Sequence, residues 1–325
     1  MPADHLSTNR TTAPADLAAA VLAVLAGTDP GTVATRHALD PDDLDDAVRT
    51  YQVAGLTALE RQAEGSWYQV RVQFTDWSAA EVAGATALGP ALDRLRAAGA
   101  VAGWWFLRKH PCWRLRLSHA DTAAVDGVLD ELTGTGVIER WWPTVYEPET
   151  AAFGGTAGMG TVHDLFCADS AGVLDYLRQD TPGLGRRELS ILLLSGLMRA
   201  ARLDTFECGD VFERVARLRP APAETDTARI GKLAENVRVL LSIPNLAESE
   251  LFTPGGPVGH AAPWLAALRT AGEQLGHDAG NGRLDRGLRA ILTHVVIFHW
   301  NRFGLSATSQ GILARAAATA LLPRS

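Results

Sequence analysis

The sequence predicts an α+β protein in which a small antiparallel sheet precedes a helical C-terminal half. Residues 67–146 alternate strand-like and helix-like runs in the order β-α-β-β-α-β, and residues 163–321 carry helical patterns separated by proline and glycine. A helical module precedes both. We therefore expect a module at 1–65 and a second domain at 66–325, with its sheet in 66–150 and its helices in 151–325.

The N-terminal module is predicted to hold three helices: Asp16–Leu25, Thr32–His37 and a third that Asp40 caps, with Pro41 in its first turn. Three short helices resemble a helix-turn-helix, but DNA binding needs cations on the recognition surface. We therefore expect a packing or peptide-docking module and no nucleic-acid partner. The acidic residues that outnumber Arg36 and Arg49 are Asp40, Asp42, Asp43, Asp45 and Asp46.

The sheet pattern is that of a ferredoxin-like split βαβ unit, with two helices on one face and the other face open for function. A tight turn at His110-Pro111 joins its second and third strands into a hairpin. The predicted strands are 67–74, 101–108, 113–118 and 138–146, and the predicted helices are 79–98 and 122–132.

The hairpin provides the strongest chemical signal in the chain. Arg114 and Arg116 share one face of their strand, about 7 Å apart by the strand period, while Trp113, Leu115 and Leu117 occupy the other face. Arginines among so many aromatic residues need an anionic partner, either internal or bound. The pair therefore predicts an anion site.

In the helical half, the glycine-rich run 153–160 lacks the spacing of a phosphate loop and is read as a flexible connection. Asp169 and Ser170 are read as caps of the helix that follows them. His299, on the penultimate helix, can exchange a proton near neutrality, although a histidine on an apolar helix is more often a hydrogen-bonded core residue. The predicted helices are 163–167, 170–179, 186–203, 209–218, 224–242, 261–275, 283–303 and 306–321.

Composition excludes several classes of protein. The 325 residues carry a net charge of −7, which argues against general nucleic-acid affinity. Cys112, Cys167 and Cys208 show no CxxC spacing, so neither a zinc site nor a disulfide framework is expected. No apolar run is long enough for a membrane helix, and the N-terminus lacks a signal pattern. We expect a cytoplasmic protein with no membrane partner.

Together these motifs resemble the thiopeptide-type bacteriocin biosynthesis family, the stand-alone form of the C-terminal domain of lantibiotic dehydratases. The resemblance spans about residues 66–322, and the order and spacing of its short motifs are fairly specific. The motifs are Trp67-Tyr68, Trp113-Arg114-Leu115-Arg116-Leu117, Tyr146-Glu147-Pro148-Glu149, Phe153-Gly154-Gly155, Asp169-Ser170 and 299–304.

This resemblance implies an enzyme that removes glutamate from glutamylated Ser or Thr of a ribosomally made precursor peptide, leaving dehydroamino acids. Arg114, Arg116 and His299 would then be catalytic. Substrate binding would fall to Trp113, Asn301 and Arg302, with no metal or organic cofactor. The expected partners are the precursor peptide and a glutamylating dehydratase-like protein, and a homodimer is left open.

One position departs from the family pattern E-x-x-R-Y-G-G, because Ala152 stands where the family commonly has arginine. The missing cation keeps two alternatives open. One is the formal [4+2] cycloaddition that makes the pyridine of thiopeptides. The other is a non-catalytic subunit that binds the precursor peptide.

Overall fold

The computed structural model describes residues 14–64, 67–222 and 224–322. The chain divides into two compact units, Met1–Gly65 and Ser66–Ser325.

The first unit consists of three helices, α1 Pro14–Leu25, α2 Pro30–His37 and α3 Pro41–Glu64. The predicted cap of α3 is present, because Asp40 Oδ1 accepts a hydrogen bond from the Asp42 amide at 2.9 Å. The helices bury a small apolar core of Ala20, Val21, Val33, Ala34, Leu44 and Val48.

The second unit begins with four strands that form one antiparallel sheet in the order β2-β3-β1-β4, which confirms the predicted α+β architecture. Pro143 lies on an edge strand, where a residue without an amide hydrogen costs no ladder bond. The strands are β1 Trp67–Phe74, β2 Gly103–Lys109, β3 Cys112–Ser118 and β4 Ile138–Thr144.

The predicted helix 79–98 is interrupted: α4 Ala80–Ala83 passes through a π-helical turn, Gly84–Leu88, into α5 Gly89–Ala97. Gly84 allows this turn to approach the sheet closely, since a Cβ there would lie 2.4 Å from the indole of Trp113. The crossover between β3 and β4 is α6 Thr122–Gly134, which Asp121 caps as predicted.

Seven helices of the described residues follow the sheet and form the helical C-terminal half. Ten consecutive residues of one of them, Leu189–Met198, are buried, so this helix lies inside the fold. The helices are α7 Gly155–Leu177, α8 Arg186–Ala200, α9 Thr205–Leu218, α10 Thr227–Leu241, α11 Ala262–Gly280, α12 Leu288–Arg302 and α13 Ala307–Leu321.

The interpretation of residues 153–179 was wrong in two respects. The glycine-rich run is not a flexible connection, because α7 begins at Gly155 and runs unbroken to Leu177. Asp169 and Ser170 are not caps but buried residues in the middle of that helix. Their side chains bind tertiary partners: Asp169 accepts from Trp264 Nε1 at 2.9 Å, and Ser170 Oγ accepts from the Phe106 amide at 3.2 Å.

Candidate anion-binding site on the sheet

The strand register places Arg114 and Arg116 on one face of the sheet, as the period of two predicts. Arg116 lies in a row with Trp105, Gln69 and Thr144 on the neighbouring strands. The next row consists of Leu107, Arg114, Arg71 and Trp142.

Arg116 is held rigidly in the first row. Its guanidinium carbon lies 4.1 Å from the ring centre of Trp105 and 4.5 Å from that of Tyr146. Its Nε donates to Gln69 Oε1 at 2.7 Å. The amide of Gln69 is fixed in turn, because its Nε2 donates to Thr144 Oγ1 and to the Val145 carbonyl, each at 2.8 Å. Residues of β1 and β2, the two strands that pair with β3, therefore fix the orientation of the guanidinium.

The charge of Arg116 lacks an anionic partner. The side chain is buried, and within the described part of the chain no carboxylate forms a salt bridge with it. Its Nη1 has no hydrogen-bond partner, and neither has the buried Nε1 of Trp105 beside it. Burial lowers the pKa of Arg116 to about 10, a shift that Tyr146 and Glu149 oppose. The guanidinium remains charged at neutral pH, so these donors suit an anion.

A tyrosine and a histidine lie next to this cation. The Tyr146 hydroxyl is 2.8 Å from His163 Nε2, and the His163 ring packs on Trp67 with 4.5 Å between ring centres. Burial, followed by the charge of Arg116, lowers the pKa of His163 to about 4. The imidazole is therefore neutral at physiological pH.

The other predicted strand residues occupy different surroundings. Arg114 is partly buried and stands directly opposite Arg71. Trp113 lies on the opposite, helix-covered face, 1% exposed and stacked on Phe106 with 4.4 Å between ring centres. The sheet therefore separates the Trp113 indole from Arg116.

Two of the three predicted residues of α12, His299 and Arg302, lie around one carboxylate inside the helical half. Nδ1 of His299 lies 2.7 Å from Asp169 Oδ1, and its Nε2 lies 3.0 Å from Ser190 Oγ. Arg302 donates from Nε to Asp169 Oδ2 at 2.6 Å. Burial alone would raise the pKa of Asp169, but the charges and hydrogen bonds of His299 and Arg302 hold it well below its usual 3.8. Asn301 Oδ1 accepts from Gln310 Nε2 at 2.8 Å.

An aromatic pair connects the two groups of predicted residues. Arg302 lies over the ring of Phe166 at 4.2 Å, and Phe166 contacts Trp105 with 4.9 Å between ring centres. Because Trp105 also stacks against Arg116, the two guanidiniums lie at the two ends of one aromatic stack. Both terminal nitrogens of Arg302 are buried without a hydrogen-bond partner.

Sequence reasoning missed Gln69, Trp105, Tyr146 and His163 as members of the site. Gln69 and Trp105 become neighbours of Arg116 only through the strand register, which a single sequence does not fix. The sequence predicts a helix that begins at His163, whereas this residue lies in the third turn of α7.

Across the described ranges, no group of three or more His, Cys, Asp or Glu side chains is arranged to hold a metal ion. No helix among the residues described combines the length and the apolar character that crossing a membrane requires.

The sequence model of the family described as lantibiotic biosynthesis dehydratase C-term matches residues 67–321. The chain belongs to this family. The match covers most of the second unit, including Arg116 and α12. A comparison with curated proteins finds no match.

Three solved structures share the fold of this lantibiotic dehydratase C-terminal family member. The tRNA-dependent lantibiotic dehydratase MibB from Microbispora sp. 107891 is 17% identical over 78% of this chain, with a TM-score of 0.53, and this chain spans only 28% of it. TsrL is 19% identical, with 80% of this chain and 100% of TsrL covered and a TM-score of 0.54. TbtD, the pyridine synthase from thiomuracin biosynthesis, is 15% identical, with 79% of this chain and 97% of TbtD covered and a TM-score of 0.54.

Proposed function

We propose that this protein eliminates glutamate from glutamylated Ser or Thr side chains of a ribosomally made precursor peptide. The α-carbon loses a proton, the bond between the β-carbon and the ester oxygen breaks, and a carbon–carbon double bond forms. Glutamate leaves through its ester carboxylate. Family membership supports the peptide substrate, and the unpaired buried cation of Arg116 is the observation that carries the reaction.

In this proposal Arg116 holds the glutamyl group. Elimination builds negative charge on the ester oxygen that departs, and a donor positioned before the reaction stabilises that charge without reorganising. The stack of Trp105 and Tyr146 and the hydrogen bond to Gln69 fix the guanidinium in advance. Arg114 lies two residues before Arg116 on the same face of β3, so its guanidinium adds a second positive charge.

We assign the removal of the proton to His163 and Tyr146. The proton of the α-carbon passes to the Tyr146 oxygen while the hydroxyl proton moves to His163 Nε2, 2.8 Å away. A carboxylate bound by Arg116 offsets the positive charge that helps to lower the pKa of His163, so binding of substrate makes this imidazole a stronger base. The resemblance assigns the proton to His299, whose two ring nitrogens are already engaged by Asp169 and Ser190.

The test is mass spectrometry of a synthetic peptide that bears one glutamylated serine. We expect the wild-type protein to release glutamate and leave dehydroalanine. Arg116→Gln should lower kcat/KM by about 100-fold, the loss expected when a preorganised donor to a developing anion is removed. Arg217→Gln is the matched control, since that exposed arginine lies on α9. Equal rates for Arg116→Gln and wild type, with both proteins folded, would refute the assignment.

A second candidate is the pyridine-forming [4+2] cycloaddition, and Ala152 favours it. This residue lies in the 3₁₀ turn Thr150–Phe153, which carries no cation where the family pattern has arginine. A peptide with two dehydroalanines distinguishes the reactions, because cycloaddition forms a pyridine and releases the leader segment. Tight binding of both peptides without turnover would instead identify a subunit that only binds the precursor.

A further inference from the structure

The face of the sheet that carries Arg116 holds more positive charge than the site requires. Besides Arg116, the strand register places Arg71, Lys109, Arg114 and Arg140 on this face, and we name these four residues the cationic face. Lys109 and Arg140 are exposed, while Arg71 and Arg114 are partly buried. This concentration of cations contrasts with a chain whose net charge is −7.

The charges of the cationic face are not neutralised by the protein itself. In the parts of the chain that the structure covers, none of the four forms a salt bridge, and Arg71 Nε is buried without a hydrogen-bond partner. Arg71 and Arg114 stand directly opposite each other, an arrangement of like charges that destabilises a sheet. The nearby carboxylate, Glu139, accepts from Gln73 Nε2 at 2.6 Å.

The cations also converge on one region of the face. Arg71, Arg140 and Arg114 each lower the pKa of the Cys112 thiol, which burial otherwise raises. Trp142 lies in the same row as Arg71 and Arg114, partly exposed, with Arg140 over its ring at 5.1 Å. A tryptophan among arginines is a frequent anchor in peptide interfaces.

From this arrangement we infer that the cationic face binds an acidic segment of the peptide substrate, outside the glutamylated residue that Arg116 holds. The inference rests on the proposed function for the identity of the peptide and on charge complementarity for its acidic character. Each of the four cations lies on a different strand, and neighbouring strands are about 4.8 Å apart, so a segment that crosses the strands can meet several of them. In an extended segment with acidic residues at every second position, the carboxylates point to one side and can all be turned towards the face.

The experiment measures fluorescence anisotropy of a labelled peptide about seven residues long, with glutamate at every second position. A peptide with glutamine at the same positions is the matched ligand. We expect binding of the glutamate peptide that weakens with salt, and about tenfold weaker binding by the double variant Arg71→Gln/Arg140→Gln. The double variant Arg217→Gln/Arg315→Gln, which changes two exposed arginines of the helical half, should bind as the wild type does.

Equal affinity for the glutamate and glutamine peptides would overturn the inference. So would unchanged binding by Arg71→Gln/Arg140→Gln, or tighter binding of a single-stranded RNA of matched length than of the acidic peptide. Thermal melting of each variant establishes that it is folded. Because binding is measured without turnover, loss of peptide binding and failure of glutamate elimination are separate results. If only elimination fails, the inference about the cationic face still holds.

Discussion

Nδ1 of His299 lies 2.7 Å from Oδ1 of Asp169, and the imidazole is only 1% exposed. The same carboxylate oxygen accepts from Trp264 Nε1, and the other accepts from Arg302 Nε. Asp169 thereby ties α7 to α11 and α12. A buried carboxylate with these partners stabilises the helical half as long as each partner is present.

We therefore predict that His299→Ala lowers the free energy of unfolding by about 2 to 4 kcal/mol, because it opens a cavity and removes a donor to a buried charge. Urea denaturation followed by circular dichroism measures the loss. His294→Ala, on the same helix but only partly buried, should lose about half as much. A His299→Ala protein that is as stable as wild type but inactive would instead support the proton-transfer role that the resemblance implies.

The pair of Tyr146 and His163 gives a second prediction. Tyr146→Phe removes one oxygen and keeps the ring that stacks on Arg116, so the fold and the peptide affinity should be retained. We expect kcat for glutamate elimination to fall by about 100-fold, within the range for loss of an acid–base group. Tyr176→Phe is the control, since that hydroxyl donates to the Leu184 carbonyl. Equal kcat values for the two variants would exclude the proposed proton path.

The low pKa of His163 also predicts a pH dependence of stability. Its folded-state pKa of about 4 lies below the usual 6.5, so the unfolded chain binds the proton more tightly. The wild type should therefore lose stability as pH falls from 6.5 towards 4, by about 3 kcal/mol from this group. His163→Asn lacks this contribution. Urea denaturation at several pH values gives the difference between the two proteins, and a difference that stays constant from pH 7 to 4 would contradict the prediction.

The sequence predicted the sheet well because strand signals are local. The alternation in Trp67–Phe74 and the hairpin at His110-Pro111 define strands without reference to the rest of the chain. The same period of two correctly places Arg114 and Arg116 on one face of their strand. The prediction for the start of α7 was wrong because glycines usually interrupt helices. In α7 they instead allow neighbouring segments to pack closely against the helix.

The composition of the site was less predictable, for a physical reason. Arg116 meets Gln69 and Tyr146 through strand pairing and a return of the chain after β4, which are contacts distant in sequence. Asp169 has the features of a helix cap in sequence, and only the packing of α11 and α12 explains why it is buried. A polar residue near a helical pattern thus does not reveal whether its partner is local or tertiary.

Two glycines in the first turns of α7 allow a matched stability test. A Cβ on Gly158 would lie 1.9 Å from the Phe153 carbonyl oxygen, whereas a Cβ on exposed Gly160 would meet nothing within 4 Å. Gly158→Ala should therefore destabilise the fold by about 2 kcal/mol or more through overpacking. Gly160→Ala should stabilise it by about 0.5 to 1 kcal/mol, the gain in helix propensity. Thermal melting of both variants checks the opposite signs, and a destabilised Gly160→Ala protein would contradict the account.

Glu81 connects the hairpin to the helical half through two ion pairs. Its carboxylate forms ion pairs with Arg108, whose side chain is 9% exposed, and with Arg186 of the helical half. Burial raises the pKa of Glu81, but the hydrogen bonds and charges of the two arginines together hold it below the usual 4.5. Its contribution to stability is therefore complete above pH 4.5 and is lost as pH falls through the lower folded-state pKa.

Glu81→Gln should destabilise the protein by about 2 kcal/mol at neutral pH, since it leaves the buried Arg108 cation without its carboxylate. The difference from wild type should shrink as the solution is acidified below pH 4.5, where the unfolded wild-type chain takes up a proton at Glu81 more readily than the folded protein does. Glu213→Gln is the control, because Glu213 pairs with the exposed side chains of Arg217 and Arg315 and its loss should cost less than about 1 kcal/mol. Urea denaturation at pH 7 and pH 4 measures both, and equal losses for the two variants at pH 7 would show that the burial of Arg108 adds nothing to the pair.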